Sequence, residues 1–504
     1  MTTISKRTIV VASIILVALA TADAAPPDKA ATSKRPVIYN LDCSEFFVGT
    51  FGPVVPKTID KFVDEHARAG ISHLFINVNA QRVNYRSKVW DAAWDGLDPD
   101  ADDNQPFFAG IDPKRRFETT FFRSHWKLHA EGCNYPARMI RMNDAHRPAA
   151  NHPYHSTIWK NHPEWRLSNQ GLDYERPEVR EHHLKLVQEV CEQFDLDGLE
   201  LDFLRFWLYF RPGREHEGGK LMNRFIEQAR QATRAAERRL KHPVKLSVRV
   251  PSTPWIARRH GLDAVAWARA GLIDHITAGS FWSSTNSDIP VETWKGRLID
   301  TDVTVSVHLE DGISSGATRR RTMTHEEMRG ILSSALHRGA DAVYFFNLFT
   351  GPFQRWPRKD HDGLLADAGS LAALKAGPRR HVVTEISPWS AGADGPSRHL
   401  PYKGRNGQFR LHIGPRPDPD RQVHVELLVT GNTKPVSVRV NGARCTSSGM
   451  AEPEHIKASG WKGEGLEPRQ QFQVPHEALV PGYNLVEVQA TEDVTVNWVE
   501  ISVR

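Results

Sequence analysis

Eight short β-rich runs alternate with helical segments over residues 36–376, and this alternation constrains the fold more than any other feature. The runs fall at 37–43, 73–79, 137–144, 198–206, 244–250, 275–282, 303–310 and 342–349. Helical patterns lie at 56–69, 176–194, 220–240, 262–270 and 324–338, the last opened by a Thr324/Glu327 capping box. Strand, helix, strand in succession implies a parallel sheet with crossover helices. Eight such units in about 340 residues predict an α/β chain built as a (β/α)8 TIM barrel. No Gly-rich phosphate loop follows any strand, which argues against nucleotide binding.

Beyond residue 376 the pattern changes. Pro378, Pro388, Gly392, Gly395 and Pro396 punctuate a linker, and alternating runs follow at 408–413, 423–429, 436–441, 484–490 and 494–503. This reads as a C-terminal antiparallel β-sandwich of about 120 residues, with a tight turn before a final hairpin. At the other end, Lys6 and Arg7 precede an apolar run over 9–20 and the small-residue site Ala22-Asp23-Ala24. These features predict a cleaved signal peptide and a secreted or periplasmic protein. No later run is long and apolar enough to predict a stable membrane span in the mature chain. The expected organisation is a signal peptide at 1–24, a catalytic barrel at 36–376 and an accessory sandwich at 377–504.

Charge excludes one broad class of partner. There are 65 basic and 60 acidic residues, a net charge of +5, with no basic stripe or tail, so no nucleic acid is expected. The four cysteines, Cys43, Cys133, Cys191 and Cys445, form no C-x-x-C pair, which argues against a zinc knuckle. Cys43 and Cys191 read as buried free thiols.

Barrel active sites are assembled at the C-terminal ends of the strands. The residues there are Asp42, Asn79, Asp144, Glu200, Asp202, Arg205, Arg249, Trp282, His308, Glu310 and Asn347. Alternation puts Glu200 and Asp202 on one face of the fourth strand, and His308 and Glu310 on one face of the seventh. Carboxylates on an inner face are costly unless paired or functional. Two carboxylates across a pocket are the minimum set for glycoside hydrolysis. Asp202 is expected as nucleophile or base and Glu310 as general acid. Asp42, Asn79, Asp144, Glu200, Arg205, Arg249, Trp282, His308 and Asn347 are expected to bind substrate or orient these two. Trp159, Trp165, Trp207, Trp255, Trp282 and Trp294 near loops offer faces on which sugar rings can stack.

Residues 197–206, Asp-Gly-Leu-Glu-Leu-Asp-Phe-Leu-Arg-Phe, resemble the fourth-strand signature of the bacterial glycosyl-hydrolase-like barrel family, of the form D-G-[aliphatic]-x-L-D-[FY]-x-R-[FY]. They are also similar to the fourth strand of amylase and alpha-galactosidase-type barrels. In those barrels the terminal Asp is the nucleophile, which the resemblance carries to Asp202. The chitinase-type motif would put its acid at position 204, and Leu204 there argues against that mechanism. The resemblance covers the barrel and implies a secreted glycoside hydrolase acting on a poly- or oligosaccharide without a cofactor.

Two rivals stand beside this reading. A metal-dependent hydrolase would want H-x-H on the first strand, where Asn40-Leu41-Asp42 stands, although His146, His152, His155 and His162 cluster in one loop. A non-catalytic carbohydrate-binding barrel would keep the cleft without a working acid. Arg205, Arg211, Arg214, Arg249, Arg258 and Arg259, on or after the fourth and fifth strands, suggest an acidic or sulfated glycan.

Overall fold

The computed structural model describes residues 34–41, 56–115, 117–130, 139–143, 149–280, 284–318, 320–348, 356–385, 399–431, 435–451 and 468–504. Eight parallel strands form its first sheet: β1 (Val37–Leu41), β2 (His73–Ile76), β3 (Met139–Arg141), β4 (Gly198–Asp202), β5 (Lys245–Pro251), β6 (His275–Gly279), β7 (Thr304–Leu309) and β8 (Ala342–Phe346). Their order is β2-β1-β8-β7-β6-β5-β4-β3. The edges meet through a parallel bridge between Asn77 and Met139, with Val78 N–H donating to the Met139 carbonyl at 2.9 Å. Asn79 completes the seam: its Oδ1 accepts from Arg141 N–H at 2.9 Å and its Nδ2 donates to the Arg141 carbonyl at 3.0 Å. A helix follows each strand: α1 (Pro56–Arg68), α2 (Phe117–Ala130), α3 (Pro177–Gln193), α4 (Glu215–Leu240), α5 (Ala264–Arg269), α6 (Val291–Arg297), α7 (His325–His337) and α8 (Arg358–Asp367). This is the TIM barrel that the alternation predicts.

Strand alternation divides the barrel into two environments. Leu199, Leu201, Leu246, Val248, Val305 and Val307 point outward into one apolar layer shared with the helices. Inside, Ile38, Ala342, Tyr344 and Phe346 form a small separate apolar cluster. The other inward positions are polar and buried, including Asn40, Glu200, Asp202, Ser247, Arg249, Thr277, Ser306 and His308. Burying polar groups at this density is costly unless they find partners.

The strands stop earlier than the sequence patterns predict. The fourth ends at Asp202 rather than 206, the sixth at Gly279 rather than 282, and the eighth at Phe346 rather than 349. Phe206 and Asn347 adopt positive φ, at 51° and 53°, which no regular strand accommodates. Arg205, Glu310 and Asn347, expected on strands, therefore sit in the loops that follow them.

The C-terminal sheet comprises β9 (Arg379–Val382), β10 (Tyr402–His412), β11 (Val423–Thr430), β12 (Ser437–Val440), β13 (Thr446–Ala451), β14 (Arg469–Gln473) and β15 (Tyr483–Val503). The final hairpin expected from 484–503 is instead one strand of 21 residues. Residues 491–493, Thr-Glu-Asp, contain no Gly or Pro to turn the chain. They bulge while the pairing with β10 shifts between Gly404 and Asn406. The first half of β15 lies between β10 and β12, and the second half between β11 and β9. That long strand lets one sheet serve both layers of a sandwich around Val425, Val438, Val486 and Ile501.

Barrel and sandwich meet through buried charge. Glu327 at the start of α7 takes two hydrogen bonds from Arg321, at 2.8 and 2.6 Å, besides closing its capping box. Arg380 of β9 donates to Glu500 of β15 at 2.8 and 2.9 Å, and its Nη2 lies 4.0 Å from Glu327. Arg469 reaches Glu500 at 2.5 Å, and Arg504 reaches Glu426 at 2.7 Å. Burial alone would raise the Glu327 carboxyl, but Arg321 and Arg380 hold it down at about 2.

Candidate active site

Neighbouring strands bring their polar residues together by register. Asp202 lies opposite Arg141 on one side and Arg249 on the other, and Arg249 lies opposite Thr277. Arg249 donates from Nε to Asp202 Oδ1 at 2.9 Å and from Nη2 to Oδ2 at 2.5 Å. Both side chains are completely buried. Leu204 N–H donates to the same Oδ1 at 3.0 Å. The Arg249 guanidinium also lies over the Phe346 ring, 4.1 Å from its centre. Burial would lower its pKa, but Asp202 more than compensates and raises it.

From Arg249 the contacts run to the seventh strand. Its Nη1 stands 3.4 Å from His308 Nε2, which lies 3.9 Å from Glu310 Oε1. Burial, reinforced by Arg249, pushes the imidazole well below its ordinary pKa, so His308 is neutral. Only a glycine lets it pack there: a Cβ on Gly279 would lie 2.3 Å from His308 Nδ1. Glu310 is anchored by its backbone, through paired hydrogen bonds with the Thr285 hydroxyl at 3.0 and 2.9 Å. Its Oε1 is buried with no hydrogen-bond partner, while Arg320 approaches Oε2 at 3.6 Å. Burial raises the Glu310 pKa above the ordinary carboxyl value, against the opposing pull of Arg320.

One layer deeper, Glu200 accepts from Tyr344 Oη at 2.6 Å and from Thr277 Oγ1 at 3.3 Å. Ser306 donates to Thr277 at 3.0 Å and contacts His275 at 2.8 Å. Burial pushes Glu200 up to about 7, against the opposing pull of Arg249. Its hydrogen bonds come from hydroxyls and not from Arg249, and the neighbouring Asp202 carboxylate adds to the upward push on its pKa.

The remaining expected residues separate clearly. Arg205 is buried beside the Phe206 ring, and Glu310 feels its charge. Asn347 follows β8 with its Oδ1 buried and unpartnered. Asn79 spends its carboxamide on the barrel seam. Asp42, Asp144 and Trp282 lie outside the described residues, as do Cys43, Cys133 and His146. Cys191 and Cys445 are buried free thiols.

The tryptophans mostly serve the core. Trp159 and Trp294 are buried, the latter donating to the Ser252 carbonyl at 2.9 Å. His155 and His162 stack on Trp159 and Trp165 with ring centres 3.7 and 3.6 Å apart. Among the described residues no group of three or more His, Cys, Asp or Glu could hold a metal. The arginines beyond the strands pair with acids: Arg211 with Asp173 at 3.0 Å, Arg214 with Glu175 at 2.8 Å and Arg258 with Asp263 at 3.4 Å.

Tyr344 and Arg320 were not foreseen. Tyr344 has a signal, since it shares its inward parity with Ala342 and Phe346. Arg320 lies in a loop without periodicity, within the run Arg319-Arg320-Arg321.

No family model matches the chain, and no curated protein matches it. Solved structures similar to it include alpha-L-fucosidase isoenzyme 2 from Paenibacillus thiaminolyticus, at 12% identity and a TM-score of 0.39 over 68% of this chain and 49% of that one. A GH36 alpha-galactosidase from Geobacillus stearothermophilus aligns at 10% identity and a TM-score of 0.35, over 91% of this chain and 55% of that one. The catalytic domain of a hyperthermophilic chitinase from Pyrococcus furiosus aligns at 13% and 0.33, over 68% and 98%. The chain thus spans about half the length of the first two. Among the described residues no helix is long and apolar enough to cross a membrane.

Proposed function

We propose that the chain is a glycoside hydrolase acting on a poly- or oligosaccharide with Asp202 and Glu310. The observation that carries this reading is the contrast between two buried carboxyls at the barrel mouth. Asp202 is paired bidentately with Arg249, whereas Glu310 is pushed toward its protonated form and has one oxygen without a partner. Two carboxyls whose surroundings differ in this way divide naturally into a stabilising or attacking group and an acid.

Glu310 would donate its proton to the leaving glycosidic oxygen as the bond to the anomeric carbon breaks. Asp202 Oδ2 accepts from Arg249 alone and so retains a lone pair, while Oδ1 already accepts twice. Where an entering sugar uncovers Oδ2, which is wholly buried in the unliganded chain, it would attack the anomeric carbon or take the proton of the attacking water. Neutral His308 and Arg205 would bind sugar hydroxyls. In this reading residues 1–24 direct export to the periplasm or outside, 36–376 carry the reaction, and 377–504 are an accessory domain.

A non-catalytic carbohydrate-binding barrel is the second reading, favoured by the same bidentate lock on Asp202. A panel of neutral and sulfated oligosaccharides separates the two. Release of reducing ends by the wild type and not by Glu310→Gln supports the hydrolase. Binding without release supports the binding protein, and turnover by both variants contradicts the role of Glu310.

A further inference from the structure

The large apolar side chains exposed among the described residues include one aromatic, Trp255, at 53% exposure. It stands in the short helix Pro254–Arg259, which begins three residues after the end of β5, the strand that carries Arg249. Strand ends of that polarity form the barrel mouth, so Trp255 lies on its rim. The rim is fixed in several ways. Thr253 caps the helix by accepting from Ile256 N–H at 3.2 Å, and Pro254 occupies its first turn. The loop after β4 braces it: the Trp207 and His260 rings lie 4.1 Å apart, and a Cβ on Gly261 would lie 2.7 Å from the Phe210 ring. The indole therefore projects from packed structure.

Its surroundings suit a sugar better than a protein partner. Arg258 and Arg259 follow it in sequence, and the Arg258–Asp263 ion pair lies on the same segment, so charged groups accompany the ring on its own element. A pyranose presents an apolar C–H face for the indole and hydroxyls at its edge for such polar neighbours. We infer that Trp255 is a stacking subsite for a sugar unit held at the exposed rim, outside the buried Asp202–Glu310 pair, which makes the ligand longer than a single sugar. This inference rests on the proposed carbohydrate function, but it does not require the chain to be catalytic.

The test measures binding by calorimetry and turnover by reducing-end release, separately, with cello-, malto-, xylo- and chitohexaose and their monosaccharides. The proteins are the wild type, Trp255→Ala and Trp255→Phe, with circular dichroism reporting the fold. Trp255→Ala is expected to weaken the bound hexasaccharide by about 10-fold, the loss of one aromatic contact, while Trp255→Phe stays within about 3-fold. The affinity for the corresponding monosaccharide stays unchanged. Equal hexasaccharide affinity in wild type and Trp255→Ala overturns the subsite, as does failure of all four hexasaccharides to bind. Trp255-dependent binding without turnover overturns the hydrolase reading and leaves the subsite standing. Turnover that ignores Trp255 does the reverse.

Discussion

Arg249 holds both carboxylate oxygens of Asp202, at 2.9 and 2.5 Å, with neither side chain exposed to solvent. Removing one member strands the other's charge in the interior. Asp202→Asn is expected to cost about 3–5 kcal/mol of stability, whereas the pair Asp202→Leu/Arg249→Met costs less than the sum of its single changes. Urea unfolding of the wild type, Asp202→Asn, Asp202→Leu, Arg249→Met and the double variant checks this. A loss below about 1 kcal/mol for Asp202→Asn would show that the charge is not sealed. Activity of Asp202→Asn should accordingly be read only at a temperature where the variant is folded.

Glu200 supplies a pH signature. Its folded pKa of about 7 lies above the ordinary value of 4.5. The folded state therefore keeps a proton that the unfolded chain gives up, and this contribution falls away as pH rises from about 4.5 to 7. Glu200→Gln cannot ionise and keeps an acceptor for Tyr344. It is expected to gain roughly 1–3 kcal/mol on the wild type at pH 8 and little at pH 4. Denaturant titrations at the two pH values test this, and an equal effect at both contradicts the account.

The junction of barrel and sandwich has the opposite sign. Glu327 is held at about 2, so its contribution is complete above about 4.5 and is lost as pH falls toward 2. Glu327→Gln removes the charge that Arg321 and Arg380 face, and is expected to lower stability by about 3–5 kcal/mol at neutral pH. Scanning calorimetry at pH 7 and pH 3 checks it: the gap between variant and wild type narrows at the lower pH. A gap that is unchanged would assign the loss to packing.

The barrel was legible because its signal repeats. Eight alternations gave each element independent support, and the polar strand ends marked the mouth. The inward parity of Glu200, Asp202, His308 and Glu310 followed from the period of two. What escaped was most partners, because partners arise from register between strands far apart in sequence. Arg249 is expected as a substrate residue or, with Arg205, as a candidate ion-pair partner of Asp202, and it pairs with Asp202. Asn79 is expected as a substrate residue, yet it closes the seam between β2 and β3. Tyr344 lies 144 residues from Glu200, and Arg320 has no periodic context. The strands β9, β13 and β14 were missed because Arg379–Val382, Thr446–Ala451 and Arg469–Gln473 are polar or Gly-containing and lack alternation.

The central claim is that Glu310 is the proton donor, and leaving-group dependence tests it most directly. Glu310→Gln should lower kcat by roughly 10²–10⁴-fold on a natural oligosaccharide, whose leaving alkoxide needs the proton. On the dinitrophenyl glycoside of the same sugar, whose leaving group departs unprotonated, the rate of bond cleavage should fall by less than about 10-fold. A loss of the same size on both substrates, or undiminished turnover of the oligosaccharide, would contradict the assignment.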